Sequence, residues 1–259
     1  MIEADILMGT VTGQGSATVA IMAHPPMVES DLSFAAFLEQ VVRHNRAHAE
    51  GRRVGIKLDF KTEAAVAPCL AALAGYTESD LPAIWLNADI WRGPGGGAPK
   101  FDATRFLDGC SAVCDSARWV LSVGWTTGTA QLGPYTDVHI DEAVTSLRRV
   151  EQSKECAVTF PVSAYHAYLG RQNMRRLLEA NPTYTLTVWG EVPSSDCQRW
   201  LDEMKATGRV FIDTKEPGPI ANQLGVVSPE RSWWIFHGVG AALVLVSCLF
   251  ARRVMRKRW

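Results

Sequence analysis

Four short runs carry side chains whose types and spacing could do chemistry: "IEADI" (2–6), "AHPP" (23–26), "GIKLDFK" (55–61) and "WLNADI" (85–90). Glu3 and Asp5 lie two residues apart, as do Lys57 and Asp59, Asp59 and Lys61, and Asn87 and Asp89. In a strand, side chains alternate between faces, so each spacing puts its polar pair on one face. The apolar partners Ile56, Leu58 and Phe60 take the other face. Carboxylates converging from neighbouring strands repel unless a cation or lysine stands between them. Oxygen donors of this kind suit Mg²⁺ or Ca²⁺. His24 carries an imidazole, the side chain most often used as acid or base, and Lys61 suits an oxyanion.

Such residues need strands that end together. Segments with strand character recur at 1–6, 18–24, 53–60, 83–90, 118–125, 157–163, 184–190 and 209–214, and amphipathic helix patterns fill most gaps. Ser33, Thr62, Asp102 and Asp137 stand where helix N-caps belong. This alternation predicts an α/β fold, a parallel sheet covered by helices in the manner of a (β/α) TIM barrel. The first two segments lack a helix between them, so the second reads as an excursion returning as an extended arm. Seven βα strands remain where a closed barrel needs eight.

"GTVTGQG" lacks the spacing of a dinucleotide-binding turn, and "WRGPGGGAPK" lacks a phosphate-loop lysine motif. Functional side chains of a barrel project from the carboxyl ends of its strands. The expected mouth therefore also includes Lys57, Asn87, Asp89, Trp125, Thr126, Trp189 and Asp213.

The 259 residues are 47% hydrophobic and 20% charged, as in a globular chain. The formal charge of −1 is uneven, because five basic residues among the last eight leave residues 1–251 at −6. An acidic body argues against nucleic acid as a partner. Trp233 to Phe250 is an apolar run of 18 residues, about 27 Å as a helix and close to a bilayer core. The expected organisation is a domain over 1–217, a juxtamembrane linker over 218–231, a transmembrane helix over 232–250 and a basic cytosolic tail over 251–259. The positive-inside rule then puts the domain outside the cell or in a lumen. "MIEADILMGT" carries no signal-peptide pattern, which implies either a tail-anchored protein or a missing N-terminal segment. The six cysteines show no zinc spacing.

Together "IEADI", "IMAHPP", "GIKLDFK", "WLNADI", "GWTTG", "VTFPV" and "YTLTVW" resemble the menorin family across residues 1–215. That family is in turn distantly similar to the glycerophosphodiester phosphodiesterases, metal-dependent TIM barrels. The resemblance implies Glu3, Asp5 and Asp59 as ligands of a divalent cation, His24 as acid/base, and Lys61 as the group orienting phosphate or carboxylate. Asp59 stands where the superfamily has Glu, and Pro25 follows His24 where it has Asp. A first strand with a further histidine, "HAVN"-like in menorins, would precede "IEAD", so the expectation is a barrel of seven of eight strands from a truncated chain. The expected function is recognition or adhesion at a cell surface in neuronal or epithelial tissue, through protein partners or a phosphodiester ligand. The alternative is divalent-metal-dependent cleavage of glycerol- or lipid-linked phosphodiesters.

Overall fold

The computed structural model describes residues 1–128, 133–151 and 156–215. Nine strands form one sheet: β1 (Ile2–Val11), β2 (Thr18–Met22), β3 (Glu29–Ser30), β4 (Ile56–Phe60), β5 (Ile84–Arg92), β6 (Trp119–Thr126), β7 (Ala157–Ser163), β8 (Tyr184–Glu191) and β9 (Val210–Lys215). Their order is β2-β1-β4-β5-β6-β7-β8-β9, with the short β3 beside β1. Every neighbouring pair from β1 through β9 along this path is parallel, and β2 alone runs antiparallel, against Ile6–Thr10 of β1. The segment after β1 thus returns as an arm without a crossover helix, as its missing helix implied.

The helices are α1 (Phe34–Arg46), α2 (Val66–Leu73), α3 (Ala103–Val113), α4 (Asp137–Glu151), α5 (Ala164–Leu169), α6 (Arg171–Ala180) and α7 (Ser195–Lys205). Ser33 caps α1 by accepting from the Ala36 N–H, and Asp102 caps α3 from Arg105. Thr62 does not cap α2. A short 3₁₀ turn, Glu63–Ala65, comes first, and the Thr62 hydroxyl instead accepts from the Met8 N–H at 3.4 Å. Pro68 sits in the first turn of α2, where its missing N–H costs no intrahelical bond.

The alternation in β4 holds: Ile56, Leu58 and Phe60 are buried, while Lys57 and Asp59 are half-buried. The apolar parity joins one core with Leu86, Ala88, Leu121 and Val123 from the next strands and Leu38, Val41, Leu70 and Phe106 from the helices. Burial of each such side chain contributes roughly 1.5–3 kcal/mol. Pairing of β6 with β7 stops at Ser122–Thr159. Pro161, two residues on, has no N–H to continue the ladder, and Gly124 leaves it room: a Cβ there would lie 2.8 Å from the Pro161 ring.

One part of the expected fold class is corrected. The structure is an α/β fold with one mostly parallel sheet, in which seven parallel strands, β1 and β4 to β9, neighbour one another in chain order; the transmembrane helix is the part overturned. Among the described residues, no helix is long and apolar enough to cross a membrane. The longest, α4, has 15 residues with charged positions throughout, about 22 Å against a bilayer core near 30 Å. The expected linker (218–231), span (232–250) and basic tail (251–259) lie outside the described residues.

Candidate functional site

Parallel pairing in register sets the site. Glu3 lies opposite Lys57 and Asp5 opposite Asp59, and Asp59 lies opposite Asn87 on the next strand. Asn87 is followed by Ser122, and Ser122 by Thr159. A polar rung therefore crosses five strands: Asp5, Asp59, Asn87, Ser122 and Thr159. Side chains in register point to the same face, so these residues form a polar stripe on the face away from the helices.

Two adjacent carboxylates would repel across strands only about 4.8 Å apart. Lys61, two residues past Asp59, resolves this. Its Nζ lies 3.0 Å from Asp5 Oδ1 and 2.7 Å from Asp59 Oδ2. Lys57 Nζ meets Glu3 Oε1 at 2.9 Å. Burial pushes the Asp5 carboxyl up, and the Asp59 charge adds to that, against the opposing pull of Lys61 and His24. Burial works to lower Lys61, yet the charges of Asp59 and Asp5 outweigh it and its pKa is raised. The ammonium stays charged and fixed. It has three N–H donors; the two carboxylates take two, leaving one for an incoming oxygen.

Asp89 stands one rung beyond Asn87, opposite Gly124. Burial pushes its carboxyl up to about 6, with the Asp59 charge adding to the shift and Lys61 and Lys57 opposing it. Its residue surface is nevertheless open to solvent. The two facts agree if the carboxyl lies at the floor of an open concavity, surrounded by protein yet reachable. A Cβ on Gly124 would come 3.1 Å from Asp89 Oδ1, so glycine keeps the space Asp89 occupies. His24 follows β2, donates from Nδ1 to Pro25 O (2.7 Å), and is near enough for its charge to favour the ionised Asp5.

The structure thus brings Glu3, Asp5, Lys57, Asp59, Lys61, Asn87 and Asp89 into one corner, with His24 beside it. It does not bring in Trp125, which is 2% exposed and packs among Trp91, Tyr135 and Phe160. Thr126 donates to Gly97 O at 2.6 Å and so ties down the glycine-rich loop after β5. Trp189 and Asp213 lie opposite each other on β8 and β9, exposed, at the far side of the sheet. Among the described residues neither makes a hydrogen bond or ion pair to the corner.

Sequence reasoning passed over Ser122, which donates to Asn87 Oδ1 at 2.6 Å, and Thr159, whose hydroxyl meets that of Thr187 at 3.0 Å. The signal was present. In "VLSVGW" and "AVTFPV" the small and polar residues occupy one parity, as the charges do in "GIKLDFK".

The expected cation ligands Glu3, Asp5 and Asp59 do not fit a metal as they stand. Glu3 is turned to Lys57, and the Lys61 ammonium fills the position between the two aspartates. Among the described residues no group of three His, Cys, Asp or Glu side chains is placed to hold an ion.

The fold is a mostly parallel α/β sheet that carries a charged corner on one face, across its adjacent strands β1, β4 and β5. The family model of the menorin N-terminal domain matches residues 1–217, and the chain belongs to the menorin family. It is similar to the human protein FAM151B, with 32% identity over 225 residues, covering 84% of this chain and 75% of that one. No solved structure matches.

Proposed function

We propose that the chain is a recognition domain that holds a small polar ligand at this strand-end corner through an oxygen of a phosphodiester or carboxylate. The carrying observation is the Lys61 ammonium, held by Asp5 and Asp59 with one donor to spare. A pre-oriented charged donor gives a stronger hydrogen bond than a mobile one. The resemblance to menorins extends the reading to a cell-surface or extracellular role in recognition or adhesion between neuronal or epithelial cells. Calorimetric titration of the full chain with glycerophosphoglycerol tests it. Saturable heat in the wild type, lost in Lys61→Met and kept in Arg176→Gln, whose guanidinium pairs with Asp137 on α4, supports it. Equal heats in wild type and Lys61→Met refute it.

Asp89 favours a second reading, cleavage of a phosphodiester. A carboxyl near 6 can give and take protons at neutral pH. Release of nitrophenolate from bis(4-nitrophenyl) phosphate, with Mg²⁺ or Ca²⁺ supplied and followed from pH 5 to 8, reads this directly. A rate that falls at least about tenfold in Asp89→Asn, the lower range of general acid–base effects, supports cleavage. A rate no higher than the buffer blank removes it. Calcium titration of wild type against Asp59→Ala asks separately whether a cation displaces Lys61, and equal heats exclude that.

A further inference from the structure

A second polar site lies apart from the corner, in a cleft of about 370 Å³ between α5–α6 and α7. Arg171 and Arg175 stand one turn apart on α6, so both guanidinium groups reach the same side of that helix. Arg199, from α7, lines the cleft with them. The floor is aromatic, with the Tyr168 and Trp200 rings 6.0 Å apart.

The charges here are incompletely matched. Arg199 pairs with Asp196 on its own helix. Arg175 is 3.9 Å from Glu203, an ion-pair distance but too long for a hydrogen bond. Arg171 lies 5.2 Å from the centre of the Tyr168 ring and reaches the Tyr168 carbonyl at 3.4 Å. Among the described residues it has no carboxylate partner. Three guanidinium groups therefore face two carboxylates. Trp200, which also lines the cleft, is 4% exposed, and its indole N–H has no acceptor. Buried donors are rarely left so.

We infer that this cleft binds a small phosphate monoester. Planar guanidinium forks match phosphate oxygens two at a time. A monoester carries a charge near −2 at neutral pH, enough to take Arg175 from its loose contact with Glu203. A monocarboxylate would only repeat what Glu203 already offers. The volume is that of a small-molecule site, and the esterified group packs on the Tyr168–Trp200 floor. The site shares no residue with the strand-end corner.

Phenyl phosphate is the probe, titrated into the full chain by calorimetry at pH 7.5 and low salt. Saturable binding with Kd at or below about 1 mM is expected, weakened at least about tenfold, or 1.4 kcal/mol, in the double variant Arg171→Gln/Arg175→Gln. Both arginines are exposed, so the variant should keep the wild-type melting temperature, which checks the fold. Lys61→Met should bind as wild type does. At pH 5.5, below the second phosphate ionisation near 6, binding should weaken several-fold. Inorganic phosphate should bind more weakly than phenyl phosphate, and equal affinities overturn the ester assignment. Absence of saturable heat, indifference to the arginine substitutions, or loss in Lys61→Met overturns the site.

Discussion

Two clusters built around aspartates lie toward opposite ends of the parallel strands, and they treat charge in opposite ways. Before β4 and β5, Asp80 accepts from Arg46 Nε at 2.7 Å, from the Thr77 hydroxyl at 2.9 Å and from the Thr77 N–H at 3.1 Å. These hydrogen bonds, the Arg46 bond foremost, hold its carboxyl down at about 2. Asn45, fully buried, donates to Val54 O and Asp80 O and accepts from the Val54 N–H. Every partner in this clamp is satisfied. Toward the other end, Asp5 and Asp89 are both pushed up, chiefly by burial. The clamp is built for its charge, whereas the corner holds more carboxylates than its lysines neutralise. Such imbalance marks a functional site more often than a structural one.

The largest effect should come from breaking the clamp. Asn45→Ala removes three hydrogen bonds and leaves backbone groups of the half-buried Val54 and the buried Asp80 without these partners. At about 1 kcal/mol for each bond, the loss is about 3 kcal/mol, read as a lower urea midpoint with unchanged slope. A loss under about 1 kcal/mol would mean the clamp contributes little to the fold.

Next is Lys61→Met, which leaves Asp5 and Asp59 side by side without their cation. Breaking a buried pair costs roughly 3–5 kcal/mol, and partial exposure of Lys61 reduces this to about 2 kcal/mol. Without the lysine the Asp5 carboxyl, already raised, rises further in the folded state. The penalty should then be largest at neutral pH and fade as pH drops through the carboxylate range and the charge is lost. A deficit that does not vary with pH would show that Lys61 acts through packing alone.

These two clusters also differ in how far the sequence disclosed them. The corner was legible because a strand repeats every two residues: Glu3, Asp5, Lys57, Asp59, Lys61, Asn87 and Asp89 sort onto one face with no knowledge of the fold. Most helices were legible for a similar reason, through caps such as Ser33 and Asp102. Three things were not. Lys61 bridges two aspartates only because β1 and β4 pair in register, and register is not written in either strand alone. Trp125 alternates with Gly124 and falls on the helix side of the sheet, so a strand-end position misled. The clamp joins Asn45, Val54 and Asp80 across loops, where no periodicity reports who will meet.

Asp80→Asn should cost less, about 1 kcal/mol, since only the charge on its hydrogen bonds is lost and Arg46 is largely exposed. Its signature is in pH. A carboxyl held at about 2 in the folded chain and near 3.8 when unfolded adds stability above the unfolded value. That contribution disappears as pH falls from about 4 to about 2. Melting temperatures of wild type and Asp80→Asn should therefore converge over that window. Curves that stay parallel down to pH 2 would place the shift elsewhere.

The smallest effect has the opposite sign. Asp89 is pushed up to about 6, so between the unfolded value of 3.8 and that pH the folded chain keeps a proton the unfolded chain has lost. Stability from this group is fully present below 3.8 and is lost as pH rises through about 6. Asp89→Asn removes the charge and should stabilise the protein at pH 7 by less than about 1 kcal/mol, the scale of a solvent-accessible charge. The advantage should shrink to nothing near pH 4, where the aspartate is neutral. If Asp89→Asn instead destabilises at pH 7, the Asp89 carboxylate is a satisfied partner in the corner, and the contrast with Asp80 fails at the residue where it is drawn most sharply.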